Sequence, residues 1–262
     1  DTDLLITNQL EFGEIYSYGD YYYYEGPDLS NREKEILELN FKNNSPGANE
    51  ALLDAIEELV GQGKTIALES RNLTEEETVL IEKKSKCQVT AAEGIFSELR
   101  KIKSKEEIEK LEKSVAITEA SIKYSVGRIK SGMTEKDLEK IYKKRLIELG
   151  AEPGFCLIGF GPHSAESCIP SDVTLKGGDI VLYDVGCLYE GYASDIARTF
   201  LFESSNAEIE IKYDILKRGM DKEISLIKKG ACTSEIFKTT MEYIREEGAK
   251  KGIKNLSEFK RH

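Results

Sequence analysis

The segment from Ile180 to Phe200, IVLYDVGCLYEGYASDIARTF, constrains this chain more than any other. An apolar run, Ile180-Val181-Leu182-Tyr183, ends on Asp184. A glycine-marked turn follows around Tyr189-Glu190-Gly191-Tyr192, and a second segment leads into Asp195 and then Arg198. β-Branched and aromatic residues bounded by glycine predict two short antiparallel strands. Side chains alternate along a strand, so the register decides where the acids point. A two-residue turn at Glu190-Gly191 pairs Asp184 with Ala197 and puts Asp195, two residues away, on the face of Asp184. A loop with an odd count puts the acids on opposite faces. Two carboxylates close together on one face repel each other and need a proton or a cation between them.

The rest of the chain narrows the setting. Its 262 residues suffice for one large domain or two ordinary ones. A net charge of -11 argues against nucleic acid as a main partner, which needs a basic face, and against an anionic membrane surface. No apolar run approaches the roughly 20 residues that span a bilayer. No signal peptide opens the sequence, and the absence of a leading methionine leads us to expect residues ahead of Asp1. The five cysteines lack the CxxC spacing of a zinc finger or disulfide framework, and free thiols suit a cytoplasmic location. With only two histidines, His163 and His262, a site built from several histidines cannot be completed here.

Residues 1–98 read as an alternating α/β unit. Strands are predicted over Asp3–Thr7, Lys64–Glu69 and Gln88–Ala91. The tyrosine-rich stretch Tyr16–Tyr24 packs aromatic faces or lines a ligand site. A helix is predicted over Asn49–Val60 with Leu52, Leu53, Ile56 and Leu59 on one side, and another over Glu75–Lys84 behind the capping pair Thr74/Glu77. No glycine-rich phosphate loop follows these strands, so nucleotide binding has no support. Leu99–Lys105 reads as a domain junction, giving domains 1–98 and 99–262. The capping pair Ser104/Glu107 opens a helix to about Lys130 with Ile108, Leu111, Val115, Ile122, Val126 and Ile129 as its apolar residues. Thr134 caps a helix carrying Leu138, Ile141, Tyr142 and Leu146, ended by Gly150. Phe155–Phe160 is a strand, Gly161–Asp172 a polar loop and Lys176–Asp179 a turn. Helices over Ala207–Lys229, with Ile211, Ile215, Met220, Ile224 and Ile227, and from Thr233 to Ile244 complete the pattern.

Asp184-Val185-Gly186 followed by Gly191-Tyr192-Ala193-Ser194-Asp195-Ile196-Ala197-Arg198-Thr199 resembles the D-x-G…G-Y-x-S-D-x-T-R-T signature of the pita-bread metallopeptidases. That group includes Xaa-Pro dipeptidase (prolidase), aminopeptidase P, creatinase and methionine aminopeptidase. Lys176-Gly177-Gly178-Asp179-Ile180-Val181 resembles its K-x-G-D-x-V lead-in. Ile102-Lys103-Ser104-Lys105-Glu106-Glu107-Ile108 is similar to the I-K-S-x-x-E-I junction of the prolidase and aminopeptidase P branch. The implied fold is two-domain: a small creatinase-like N-terminal α/β domain and an incomplete α+β pita-bread catalytic domain.

The resemblance also implies chemistry. In the family two divalent ions are held by two Asp, one His and two Glu, and by motif match Asp184 and Asp195 are the two aspartates. Two ions (Mn, Co or Zn) are thus expected in the complete protein; hard carboxylate oxygens suit such ions, and a pair about 3.5–4 Å apart activates water and polarises a carbonyl. The implied function is an exopeptidase acting on Xaa-Pro dipeptides or on the N-terminal residue of X-Pro peptides, with a peptide substrate and a homodimeric assembly. Three departures stand out. The family's His and Glu ligands fall downstream of its second aspartate, in motifs this sequence lacks, so we expect the sequence to stop before them. The family's catalytic histidine aligns with Ser167, or with Cys168 after one gap. His163, four or five residues early, is the candidate catalytic residue; it reaches the site or is a surface loop histidine. Ala197 replaces a threonine. Two alternatives remain open: a non-catalytic pita-bread module that binds peptides or a protein partner, and a creatinase-like C–N hydrolase.

Overall fold

A computed structural model describes residues 14–19, 26, 28–69, 73–166 and 169–257. The expected strand Asp3–Thr7, residues 20–24 of the tyrosine stretch, Ser167, Cys168 and His262 lie outside the described residues. The chain divides into two compact units, one ending at Lys103 and the other beginning at Ser104.

In the first unit, strand β1 (Ser17–Tyr18) precedes helix α1 (Asn31–Lys42), strand β2 (Asn44–Ser45) and helix α2 (Ala48–Leu59). Strand β3 (Thr65–Leu68), helix α3 (Glu75–Lys84), strand β4 (Gln88–Ala91) and helix α4 (Glu93–Lys101) follow. β3 and β4 pair in parallel, as a β-α-β unit requires, and β1 pairs with β2 in parallel. Position 98 lies inside α4, and the end of the first unit, Lys103, falls within the Leu99–Lys105 stretch. Helix α1 escaped the sequence reading, although Ser30 and Glu33 form a reciprocal capping box ahead of it. α2 buries Ala51 and Ile56 rather than its leucines: Leu52 and Leu59 are exposed. The buried cluster joins Ile56, Ile81 and Cys87.

In the second unit, helices α5 (Lys105–Val126) and α6 (Glu135–Glu148) precede strands β5 (Glu152–Phe160) and β6 (Ile180–Tyr189). A 3-10 turn, Gly161–Ala165, opens the loop between those strands. The short strand β7 (Tyr192–Ala193) and strand β8 (Ile196–Leu201) lead to helices α7 (Ala207–Leu226), α8 (Thr233–Lys250) and α9 (Lys254–Ser257). β6 lies at the centre of the sheet, antiparallel to β5 on one side and to β7 and β8 on the other. From Ile180 to Val185 it alternates: Val181, Tyr183 and Val185 are buried in a core shared with Leu138, Tyr142 and Leu146 of α6, while Asp184 belongs to the opposite face.

The long helix α5 corrects the sequence reading. Ile108, Val115 and Val126, chosen by apolar spacing, are exposed, and the buried face carries Ser114, Ile117, Thr118, Ser121, Ile122 and Ser125. Hydroxyls can line a buried face when each has a partner, and periodicity counted on apolar residues alone misses them. The helix also ends at Val126, ahead of Lys130. α7 packs on α8 through Ile215, Met241 and Ile244; Gly219 sits so close that a Cβ there would lie 2.8 Å from Ile244. Of the apolar residues named for this stretch, Ile211, Met220 and Ile224 of α7 and Ile227 just past its end are exposed. α8 runs past the expected Ile244 to Lys250. Among the described residues, no helix is long and apolar enough to cross a membrane.

Candidate metal centre

The hairpin turns on Glu190 (φ 48) and Gly191 (φ 81), between the paired residues Tyr189 and Tyr192. Positive φ at both central positions suits the right-handed twist of the flanking strands, and glycine takes it without strain. This two-residue turn fixes the register: Asp184 pairs with Ala197, Val185 with Ile196, and Leu188 with Ala193. Counting inward from both sides sets Gly186 opposite Asp195 and Cys187 opposite Ser194. The two acids therefore share a face, turned away from α5 and α6. Asp184 is half-buried and Asp195 exposed.

The carboxyls meet. The Asp184 carboxyl is raised above its ordinary range by burial, then by the negative charge of Asp195, then by a side-chain hydrogen bond with Asp195. Such a pair holds a proton between its members or trades it for a cation. Hard oxygen donors, already in contact and partly open to solvent, fit a divalent ion. Among the described residues no group of three or more His, Cys, Asp or Glu is placed to hold a metal ion. Asp184 and Asp195 are the metal-type donors that these strands bring together.

Gly186 makes that meeting possible. A Cβ on it would lie 2.0 Å from the Ser194 carbonyl oxygen and 3.0 Å from the Phe155 ring. The backbone leading into Asp195 thus folds directly over Gly186, and backbone cannot give way as a flexible side chain can. Gly186→Ala is expected to destabilise the chain by at least about 2 kcal/mol, at the upper end of overpacking costs, and to separate the acids. Urea unfolding measures the loss; a midpoint equal to that of the parent would contradict the geometry.

His163 lies elsewhere. Its Nδ1 is 2.8 and 3.0 Å from the two carboxylate oxygens of Glu135, the first residue of α6. Glu135 has 0% exposure and also accepts from the Phe160 N–H (2.8 Å), the Ser171 N–H (2.9 Å) and the Ser171 hydroxyl (2.7 Å). One carboxylate therefore ties the end of β5, the 3-10 turn and the returning loop together. Burial raises the Glu135 carboxyl, but the hydrogen bonds from Ser171, His163 and Phe160 outweigh it and hold the group below the usual range. The hydrogen bond to Glu135 raises the His163 imidazole above 6.5. Phe160, three residues before His163, pairs with Val181, whereas Asp184 pairs with Leu157. The turn thus leaves β5 about 10 Å along the strands from the acids. Sequence reasoning singled out His163 without its partner: Glu135 follows the capping residue Thr134, where glutamate is ordinarily a solvated first-turn residue.

A model of metallopeptidase family M24 matches residues 109–262. An uncharacterized peptidase of Staphylococcus aureus is 32% identical over 156 residues, covering 58% of this chain and 44% of that protein. One of Staphylococcus saprophyticus is 32% identical over 153 residues, covering 57% and 44%. The chain spans less than half the length of these relatives. Among solved structures, an X-Pro aminopeptidase from Thermotoga maritima aligns over 84% of this chain and 64% of its own, with TM-score 0.71 and 22% identity. A prolidase from Pyrococcus furiosus aligns over 84% and 65%, with TM-score 0.70 and 26% identity. The first likeness, at its low identity, speaks for the fold alone. The architecture is that of the pita-bread peptidases.

Proposed function

We propose, from the premise that this chain belongs to metallopeptidase family M24, that Asp184 and Asp195 are two of the ligands of a pair of divalent ions in an exopeptidase acting on Xaa-Pro peptides. The observation that carries the reading is that the two carboxyls share one face of the hairpin, where burial and then the charge and hydrogen bond of Asp195 raise Asp184. Divalent ions bound there supply Lewis-acid polarisation of a peptide carbonyl and activation of water. The chain's own residues do the rest of what we assign here. Asp184, set on the central strand, gives an oxygen anchor held by the sheet. Asp195, beside a strand end, gives an exposed one. His163 donates its Nδ1–H to the Glu135 carboxylate, so any proton it exchanges with a substrate passes through Nε2. The Xaa-Pro preference rests on the names of the structural neighbours, a prolidase and an X-Pro aminopeptidase. A small N-terminal domain over the first unit, two ions of the Mn, Co or Zn type, a homodimer and a cytoplasmic location belong to the same reading.

The seating of His163 on Glu135 favours a second reading, a non-catalytic module that binds peptides, because it gives the histidine a structural task. One assay separates them. The full-length protein is incubated with Mn²⁺ or Co²⁺ and presented with Xaa-Pro dipeptides and longer X-Pro peptides. Metal-dependent release of the N-terminal residue, abolished in Asp184→Ala, is the expected result. Absence of turnover with either ion, together with peptide binding seen by calorimetry, decides for the module.

A further inference from the structure

Behind the acid-bearing face, α5 meets the hairpin through hydroxyls rather than hydrocarbon. Ser114 and Thr118, one helical turn apart on the buried face, approach Cys187 and Ser194. The Cys187 N–H donates to Ser194 Oγ (3.2 Å), Ser194 Oγ lies 2.8 Å from Thr118 Oγ1, and Thr118 Oγ1 lies 3.2 Å from Cys187 Sγ. The Cys187 thiol reaches the Ser114 carbonyl (3.5 Å), and the Ser114 hydroxyl donates to the Cys187 carbonyl (3.2 Å). One proton order satisfies every group: Cys187 N–H to Ser194, Ser194 O–H to Thr118, Thr118 O–H to Cys187 sulfur, and Cys187 S–H to the Ser114 carbonyl. Each donor is used once, and a buried chain of this kind stiffens what it joins. Ser114 and Thr118 have no exposed surface, and Ser194 and Cys187 very little.

Cys187 and Ser194 are cross-strand neighbours, and each adjoins a residue of the acid-bearing face, Gly186 and Asp195. Alternation along the strand turns Asp195 away from α5 when Ser194 is turned towards it. β7 ends at Ala193 and β8 begins at Ile196, so Ser194 and Asp195 lie in the gap between the two strands. There the Ser194 N–H donates to the Cys187 carbonyl (3.0 Å), and the hydroxyl chain adds side-chain bonds from α5 to that single backbone link. We infer that Thr118 is a positioning residue for Asp195, acting through the Ser194 hydroxyl to hold the two aspartates in contact. The metal consequence rests on the reading given above; the clamp itself does not.

The test uses the full chain with Thr118→Val, which keeps the shape and removes the hydroxyl, Thr118→Ser, which keeps the hydroxyl, and Ser194→Ala. Ser121→Ala serves as comparator, because the Ser121 hydroxyl is also buried on α5 and donates to the Ile117 carbonyl of its own helix. Mn²⁺ affinity is read by calorimetry and amide hydrogen exchange at Cys187 by NMR. Thr118→Val and Ser194→Ala are expected to weaken Mn²⁺ binding by about 10–100-fold, the range typical of residues that orient a metal ligand. Both are expected to speed exchange at Cys187, while Thr118→Ser and Ser121→Ala stay within about twofold of the parent. If Thr118→Val does not fold, Ser194→Ala decides alone. Unchanged affinity and unchanged exchange in the variants lacking a relay hydroxyl overturn the inference, as does an equal loss in Ser121→Ala. Should the parent take up no Mn²⁺, the metal reading fails separately. Exchange at Cys187 then decides the clamp, faster exchange upholding it and unchanged exchange overturning it.

Discussion

Asp184→Asn is expected to stabilise the metal-free chain while weakening Mn²⁺ binding and any peptidase activity by more than about 100-fold, beyond the losses typical of residues that merely orient a ligand. The two effects have one cause. In the folded chain Asp184 is raised from its ordinary 3.8 by burial and by the charge and hydrogen bond of Asp195. The folded state therefore binds more protons than the unfolded state from about that value up through the raised one. Stability falls as pH climbs through that window, and above it the repulsion between the acids is a standing cost. An asparagine amide removes one charge and can donate to the remaining carboxylate, so the cost and its pH dependence disappear together. It is also a poor replacement for a hard anionic oxygen ligand. Thermal melting of the metal-free proteins at neutral pH and at pH 4 measures the first effect. A variant less stable than the parent at neutral pH would contradict it.

The second large effect is expected at Glu135. Glu135→Gln keeps the shape but places an amide N–H₂ among donors, the Phe160 and Ser171 N–H groups, the Ser171 hydroxyl and the His163 ring. Leaving buried donors unmatched and removing the buried carboxylate from its part-buried His163 partner is expected to cost about 3 kcal/mol. The urea midpoint reads the loss, and a change below about 0.5 kcal/mol would place Glu135 among ordinary surface residues. The pH dependence has two edges. The Glu135 contribution is present above its ordinary 4.5 and is lost as pH falls through the lower folded value. The His163 contribution is complete below 6.5 and is lost as pH rises through the higher folded value. Between those edges the pair holds the loop most firmly. With two histidines in the chain, an NMR titration follows His163 directly, and its midpoint is expected to drop in the variant.

How far the sequence could carry such conclusions depended on which physics was local. The hairpin was legible because a Glu-Gly turn admits few registers, and one register settles the facing of both acids. Helix starts at Thr74, Ser104 and Thr134 were legible because a capping box is written within four residues. The buried face of α5 was not, because Ser114 and Thr118 become core residues only when Cys187 and Ser194, some 70 positions later, arrive to bond them. Glu135 was hidden for the same reason: nothing near Thr134 announces the loop donors that gather around it. The exposed isoleucines of α7 show the converse, apolar residues at helical spacing that the described chain does not cover.

The most direct measurement of the central claim is calorimetric titration of Mn²⁺ into the full chain near pH 5, repeated in two buffers of different ionisation enthalpy. If Asp184 and Asp195 share a proton that a cation replaces, binding releases protons, the two buffers give different heats, and both binding and release vanish in Asp184→Asn. Heats that do not depend on the buffer, or binding that survives the substitution, would contradict the account.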